Sequence, residues 1–148
     1  MSDKFELTDT SIEFLGIKLF QIRALKSFGS VEKGELGGYI EKLENISMSG
    51  NAWVYGNARV YGDARVSGNA LVYGDAWVYG DAKATKRVLN INYQTYNITV
   101  TDKHIRIGCQ QHEISTWFKF TDSEISAMDG GALEWWQKWK PILKAILE

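Results

Sequence analysis

Glycine returns every six residues through the middle of the chain, at Gly50, Gly56, Gly62, Gly68, Gly74 and Gly80. Each is followed by Asn or Asp (Asn51, Asn57, Asp63, Asn69, Asp75, Asp81) and then by alanine (Ala52, Ala58, Ala64, Ala70, Ala76, Ala82). Two residues further on sit Val54, Val60, Val66, Val72, Val78 and Ala84. Alanine and valine two apart share one face of a strand, and the residues between and after them share the other. Glycine before Asn or Asp is corner chemistry, because these residues tolerate left-handed backbone angles. Each unit therefore predicts a short strand plus a corner, with the small and branched residues inward. Three units close a coil of eighteen residues, and coils stack into a parallel β-helix of about two turns. An irregular earlier unit, Ile46-Ser47-Met48-Ser49, fits the same phase.

The unit resembles the hexapeptide repeat of left-handed β-helix proteins, in which an aliphatic residue is followed four positions later by a small one. Val54 with Ala58, Val60 with Ala64, Val66 with Ala70, Val72 with Ala76 and Val78 with Ala82 carry the likeness. One position departs from that pattern: Tyr55, Tyr61, Ser67, Tyr73 and Tyr79 follow the aliphatic residue, where a small or acidic one is usual. The resemblance covers residues 46–85 and implies the left-handed fold, but a scaffold of this kind serves many purposes. Leu19-Phe20-Gln21-Ile22-Arg23-Ala24-Leu25, Phe28-Gly29 and Gly37-Gly38-Tyr39-Ile40-Glu41 resemble the leader of small phage and prophage proteins built on such repeats. There the leader caps the first coil. This likeness implies a viral or prophage origin and no established reaction.

The flanks read as strands and a helix. Phe5 and Leu7, then Ile12 and Phe14, alternate with polar residues, and Leu15-Gly16 turns into a strand over 17–25. In the tail, 88–93, 96–101 and 104–109 alternate in strand fashion around turns at Gln94-Thr95 and Asp102-Lys103. A short segment over 113–120 comes next. Thr121 or Asp122 can cap a short helix, with Glu124 the capping-box partner of Thr121, and Asp129-Gly130-Gly131 breaks it. Residues 132–147 predict an amphipathic helix with Ala132, Trp135, Trp136, Trp139, Leu143 and Ile146 on one face. Pro141 should kink or split it. The expected fold is mainly β: a short left-handed parallel β-helix over 46–85, an N-terminal β cap over 1–45, and a C-terminal β-meander plus α-helix over 86–148.

Composition narrows the chemistry. Seventeen basic and eighteen acidic residues give a net charge of -1, which argues against a dedicated nucleic-acid or anionic-membrane binder. Cys109 is the one cysteine, so no intrachain disulfide forms. Met1 to Phe5 runs into charged, strand-like sequence, and no apolar stretch has the length of a membrane span. A cytoplasmic protein without a secretory signal is expected. The best-known enzymes on the left-handed scaffold are acyltransferases that use a coil-borne histidine as general base. Here the only histidines are His104 and His112, both outside the repeat. A carbonic-anhydrase-like centre needs three histidines around a metal. His104, Cys109 and His112 make a poor metal set, since 104 and 109 fall on opposite sides of a continuous strand. Cys109 reads instead as a buried thiol on the meander's inner face. The expectation is a protein without catalytic residues, cofactor or metal.

The outward residues carry more information. With residue i stacked on i+18, Trp53 lies over Leu71, Tyr55 over Tyr73, Tyr61 over Tyr79, Arg59 over Trp77 in a cation–π contact, and Arg65 over Lys83. Two of three faces thus carry aromatic columns, more apolar surface than a soluble monomer exposes. The tail's Trp-rich helix, a second copy in a dimer or trimer, or a host protein should cover them. Two adjacent Trp cannot both point inward, so one of Trp135 and Trp136 joins the contact candidates. The protein-binding candidates are therefore Trp53, Tyr55, Arg59, Tyr61, Arg65, Tyr73, Trp77, Tyr79, Trp135 and Trp136. The reading is a non-catalytic phage accessory protein, an inhibitor of a host defence system such as a CRISPR effector or restriction nuclease. The alternatives are an acyltransferase-like enzyme using His104 or His112, and a structural component of the virion.

Overall fold

The computed structural model describes residues 3–93 and 95–147, the Tyr93 side chain excepted. Two compact units divide it, residues 1–111 and 112–148.

The first unit is built around the repeat. Six two-residue strands, β4 (Trp53–Val54), β5 (Arg59–Val60), β6 (Arg65–Val66), β7 (Leu71–Val72), β8 (Trp77–Val78) and β9 (Lys83–Ala84), follow one another at the spacing of the repeat. β4 pairs in parallel with β7, β5 with β8 and β6 with β9, each eighteen residues apart. The chain is therefore a mainly β protein with a parallel β-solenoid. The six corner glycines hold φ between 61° and 72°, the left-handed region a side chain resists. Space forbids one too: a Cβ on Gly50 would lie 2.6 Å from the Gly68 carbonyl oxygen. The repeat's alanines and valines are at most 1% exposed and form a single apolar column.

The two antiparallel strands β1 (Phe5–Phe14) and β2 (Ile17–Ala24) turn at Leu15-Gly16, where both residues have positive φ. β3 (Leu36–Ile40) pairs antiparallel with β2 and parallel with β5, so the hairpin extends one solenoid face into a sheet of order β1-β2-β3-β5-β8. The irregular unit differs from its expected phase. Ile46 bridges Val66 rather than Ala64, a shift of two residues absorbed by the bend over 48–51. Ile40 and Ile46 are thereby six apart in valine positions of an incomplete earlier coil.

Both ends of the stack leave backbone groups that need partners. At the first coil, Tyr39 and Glu41 amides donate to the Ala58 and Val60 carbonyls, and Ser47 to Val66. Buried Asn45, in a 3-10 turn over Leu43–Asn45, donates from Nδ2 to the Gly62 and Ala64 carbonyls at 3.2 and 2.9 Å. Lys4, 1% exposed, donates from Nζ to the Ala52 carbonyl at 2.8 Å and lies 4.8 Å above the Phe28 ring. The last coil is closed by the strands β10 (Leu89–Tyr93), β11 (Tyr96–Val100), β12 (His104–Ile107) and β13 (Gln110–Glu113), paired in that order. Asn90 and Gln111 donate to the Tyr73 and Tyr79 carbonyls, Trp77 N–H donates to Thr99 Oγ1, and Asp102 accepts from the Thr85 amide and hydroxyl. Gln94, in the first expected turn of this meander, lies outside the described residues.

Lys4 gives the fold a pH signature. Burial, then repulsion from Lys26, holds its ammonium down at about 8 against an ordinary 10.5. The unfolded chain thus binds more protons between roughly pH 8 and 10.5, and stability rises with pH across that window. Tyr61 opposes it higher up. Burial, then Tyr79, pushes its phenol up to about 12 from 10.0, so stability falls above roughly pH 10. Urea midpoints of the wild type should climb from pH 8 to about 10 and then drop. Lys4→Met should flatten the climb. A midpoint that falls steadily from pH 8 would contradict this assignment.

The second unit holds three helices, α1 (Ile114–Lys119), α2 (Asp122–Ser126) and α3 (Ala132–Leu147). The capping box at α2 is formed: Thr121 Oγ1 accepts from Glu124 N–H, and Glu124 Oε1 accepts from Thr121 N–H. Pro141 does not split α3, which runs on through it.

Candidate functional site

The three solenoid faces differ in what they present outward. On the first, β4 and β7 place Trp53 over Leu71. Trp53 is 1% exposed, with Phe28 at 5.3 Å and Phe5 at 6.3 Å, both edge-on. It is a core residue and not a contact candidate, because the N-terminal segment lies over it. Two residues on, Tyr55 and Tyr73 stack at 6.0 Å and 22°, with Tyr55 exposed.

The second face carries β3, β5 and β8. Arg59 pairs in register with Trp77, as the spacing predicts, but its guanidinium lies 4.3 Å over Phe14, from the end of β1. Phe14 also packs edge-on against Trp77 at 4.8 Å and Tyr61 at 5.5 Å. The cation on Trp77 is Arg106 of β12, 4.6 Å from the ring. Arg106 is 2% exposed and donates to the Gly108 carbonyl and Thr99 Oγ1. Tyr61 and Tyr79 are parallel within 4° at 5.1 Å. Burial dominates both phenols and raises their pKa, while Arg106 pulls both back, with help from Arg59 at Tyr61. Leader and meander thus supply part of the cover that the tail helix or a second copy was expected to give here, and leave Arg59, Tyr61 and Tyr79 partly exposed. Neither Phe14 nor Arg106 was singled out from sequence. Each sits in a plainly alternating strand, and nothing local says that a hairpin end reaches the repeat.

The third face is polar. Arg65 lies over Lys83, both exposed. A surface ion pair joins Lys42 to Asp63 at 3.5 Å, beside Glu44 and Arg65, and contributes little to stability.

His104 opens β12 beside Asp81, Lys83, Thr85, Asp102 and Lys103, around a shallow hollow. Its Nδ1 is buried with no partner among the described residues. Cys109 is exposed rather than buried. Gly108, at φ 57°, ends β12 and puts Cys109 in the turn to β13.

Within the second unit, His112 meets Trp117 and Phe120 edge-on at 5.1 and 5.0 Å, and burial lowers its pKa. Trp135 and Trp136 are both buried, at 9% and 3% exposure. Adjacent helical positions diverge by about 100°, yet both find partners. Trp136 packs against Trp117 and Phe118, and Trp135 stacks on Trp139 at 5.5 Å. Neither is the outward residue expected of the pair.

Residues 52–65 and 64–80 match the family model of the YdcK beta solenoid repeat. The repeat is a β-solenoid repeat. No curated protein matches the chain. Among the described residues, no helix is long and apolar enough to cross a membrane.

Proposed function

We propose that this protein is a non-catalytic binding scaffold: a cytoplasmic phage or prophage accessory protein on a left-handed hexapeptide-repeat helix that inhibits a host defence nuclease, such as a CRISPR effector or restriction enzyme. The observation that carries the binding reading is the pair of tyrosine stacks, Tyr55 on Tyr73 and Tyr61 on Tyr79, fixed on adjacent faces by parallel register. Tyrosine brings large contact area at low conformational cost and is enriched where proteins meet. A dimer or trimer would leave one of these faces for the target. The phage origin rests on the likeness of the leader segments.

Phage plating on a defended host tests the reading. The wild-type chain should raise plaque counts at least a hundredfold, and Tyr55→Ala with Tyr73→Ala should abolish that gain while the protein remains folded. No gain with the wild type would reject the inhibitor. A gain lost in a folded His104→Ala, His112→Ala variant and kept in the tyrosine variant would favour an enzyme.

A further inference from the structure

The second solenoid face holds two guanidinium groups that no carboxylate among the described residues pairs with; Glu41, which follows β3, is taken up by the Gly62 amide at 2.8 Å. The Arg59 guanidinium makes no hydrogen bond or ion pair among the described residues, and only its Nε is shut away from water. Stacking on Phe14 fixes its plane. Arg106 lies behind it across the Phe14–Trp77 pair, held by Thr99, Gly108 and Trp77, with its own Nε buried and unpartnered. The ion pairs among the described residues, Arg23 with Glu6 and Lys42 with Asp63, involve neither arginine. A buried cation without an anion is costly, and its field is little screened by water. Tyr61 stands beside them, half-buried. Its hydroxyl makes no hydrogen bond among the described residues, and both arginines act on it electrostatically. Donors are thus fixed in place, the charge is positive, and the floor is aromatic.

We infer that Arg59 and Tyr61, with Arg106 behind them, seat a carboxylate side chain of an acidic segment on a partner protein. Arg59 supplies its terminal N–H groups, and Tyr61 its O–H, to the carboxylate oxygens. Charged hydrogen bonds of this kind are short and strong. Arg106 does not touch the ligand. The inference rests on the protein-binding reading above and names the chemistry of the partner at that surface.

The test uses an N-acetylated hexaglutamate peptide at low ionic strength, followed by NMR through the Arg59 Nε–H signal. A saturable shift is expected. Affinity should be at least tenfold weaker in Arg59→Gln and about threefold weaker in Tyr61→Phe, with unchanged backbone spectra. Equal binding of hexaglutamine, equal affinity in Arg59→Gln, or no shift at all would overturn the inference. So would inorganic phosphate binding as tightly as the peptide, which would make this a phosphate seat. If Arg59→Gln keeps the full plating gain, the acidic segment is excluded and the binding scaffold stands.

Discussion

Trp53→Ala should unfold the first unit well before the wild type does. Its indole sits at 1% exposure between Phe5 and Phe28. Removing a buried tryptophan costs about 3–5 kcal/mol in lost burial and residual cavity. For a chain of this size that is a melting temperature lower by roughly 10 °C or more. Differential scanning calorimetry reads it directly. An interface tryptophan would behave otherwise, leaving the melting point of the free protein within a degree or two. The measurement therefore separates the position the repeat spacing gives to Trp53, on the outward side, from the position the N-terminal segment gives it.

Gly37→Ala should do comparable damage by the opposite route. No cavity opens; instead a single methyl group has nowhere to go. A Cβ at Gly37 would fall 2.5 Å from the Val54 carbonyl oxygen, 2.7 Å from Ile22 Cγ1 and 2.8 Å from Trp53 Cζ2. Backbone, a neighbouring strand and the indole would all have to retreat together. Overpacking of this kind costs about 1–3 kcal/mol where the core can adjust, and a clash against backbone belongs at the upper end. Gly37 has ordinary negative φ, so the loss is steric and not conformational. Gly130→Ala is the control. Its Cβ would meet nothing within 4 Å, and the unfolding free energy from denaturant titration should stay within about 0.5 kcal/mol of wild type.

The regular part of the fold was open to reading because each hexapeptide states its own geometry. Glycine fixes the corner, and alanine and valine fix the inward side. The eighteen-residue pairing of Trp53 with Leu71, Arg59 with Trp77 and Arg65 with Lys83 follows from those alone. The Thr121 capping box and the boundaries of α3 were equally local. Errors began where one segment acts on another. The shift at Ile46 arises because Asn45 is drawn in to cap Gly62 and Ala64, which the six-residue rhythm cannot announce. Cys109 was placed in a strand because alternation continued through it, but Gly108 turns the chain one residue earlier. At the candidate site, Arg59, Tyr61, Trp77 and Tyr79 were found from stacking arithmetic. Phe14 and Arg106 are lodged among them by tertiary contacts with no local signature.

Phe14 also bears on how long such a solenoid is allowed to be. It leaves the N-terminal hairpin, touches Tyr61 in the first complete coil and reaches Trp77 in the second. Arg106, from the strands that close the other end, lies on that same indole. Identical coils have no means of counting themselves, since each pairing repeats the last. Here one hairpin spans the stack and meets the opposite closure over a single ring, so the number of coils is gauged from outside the repeat. Duplicating eighteen residues would preserve every rung and still part Phe14 from the coil that Arg106 closes.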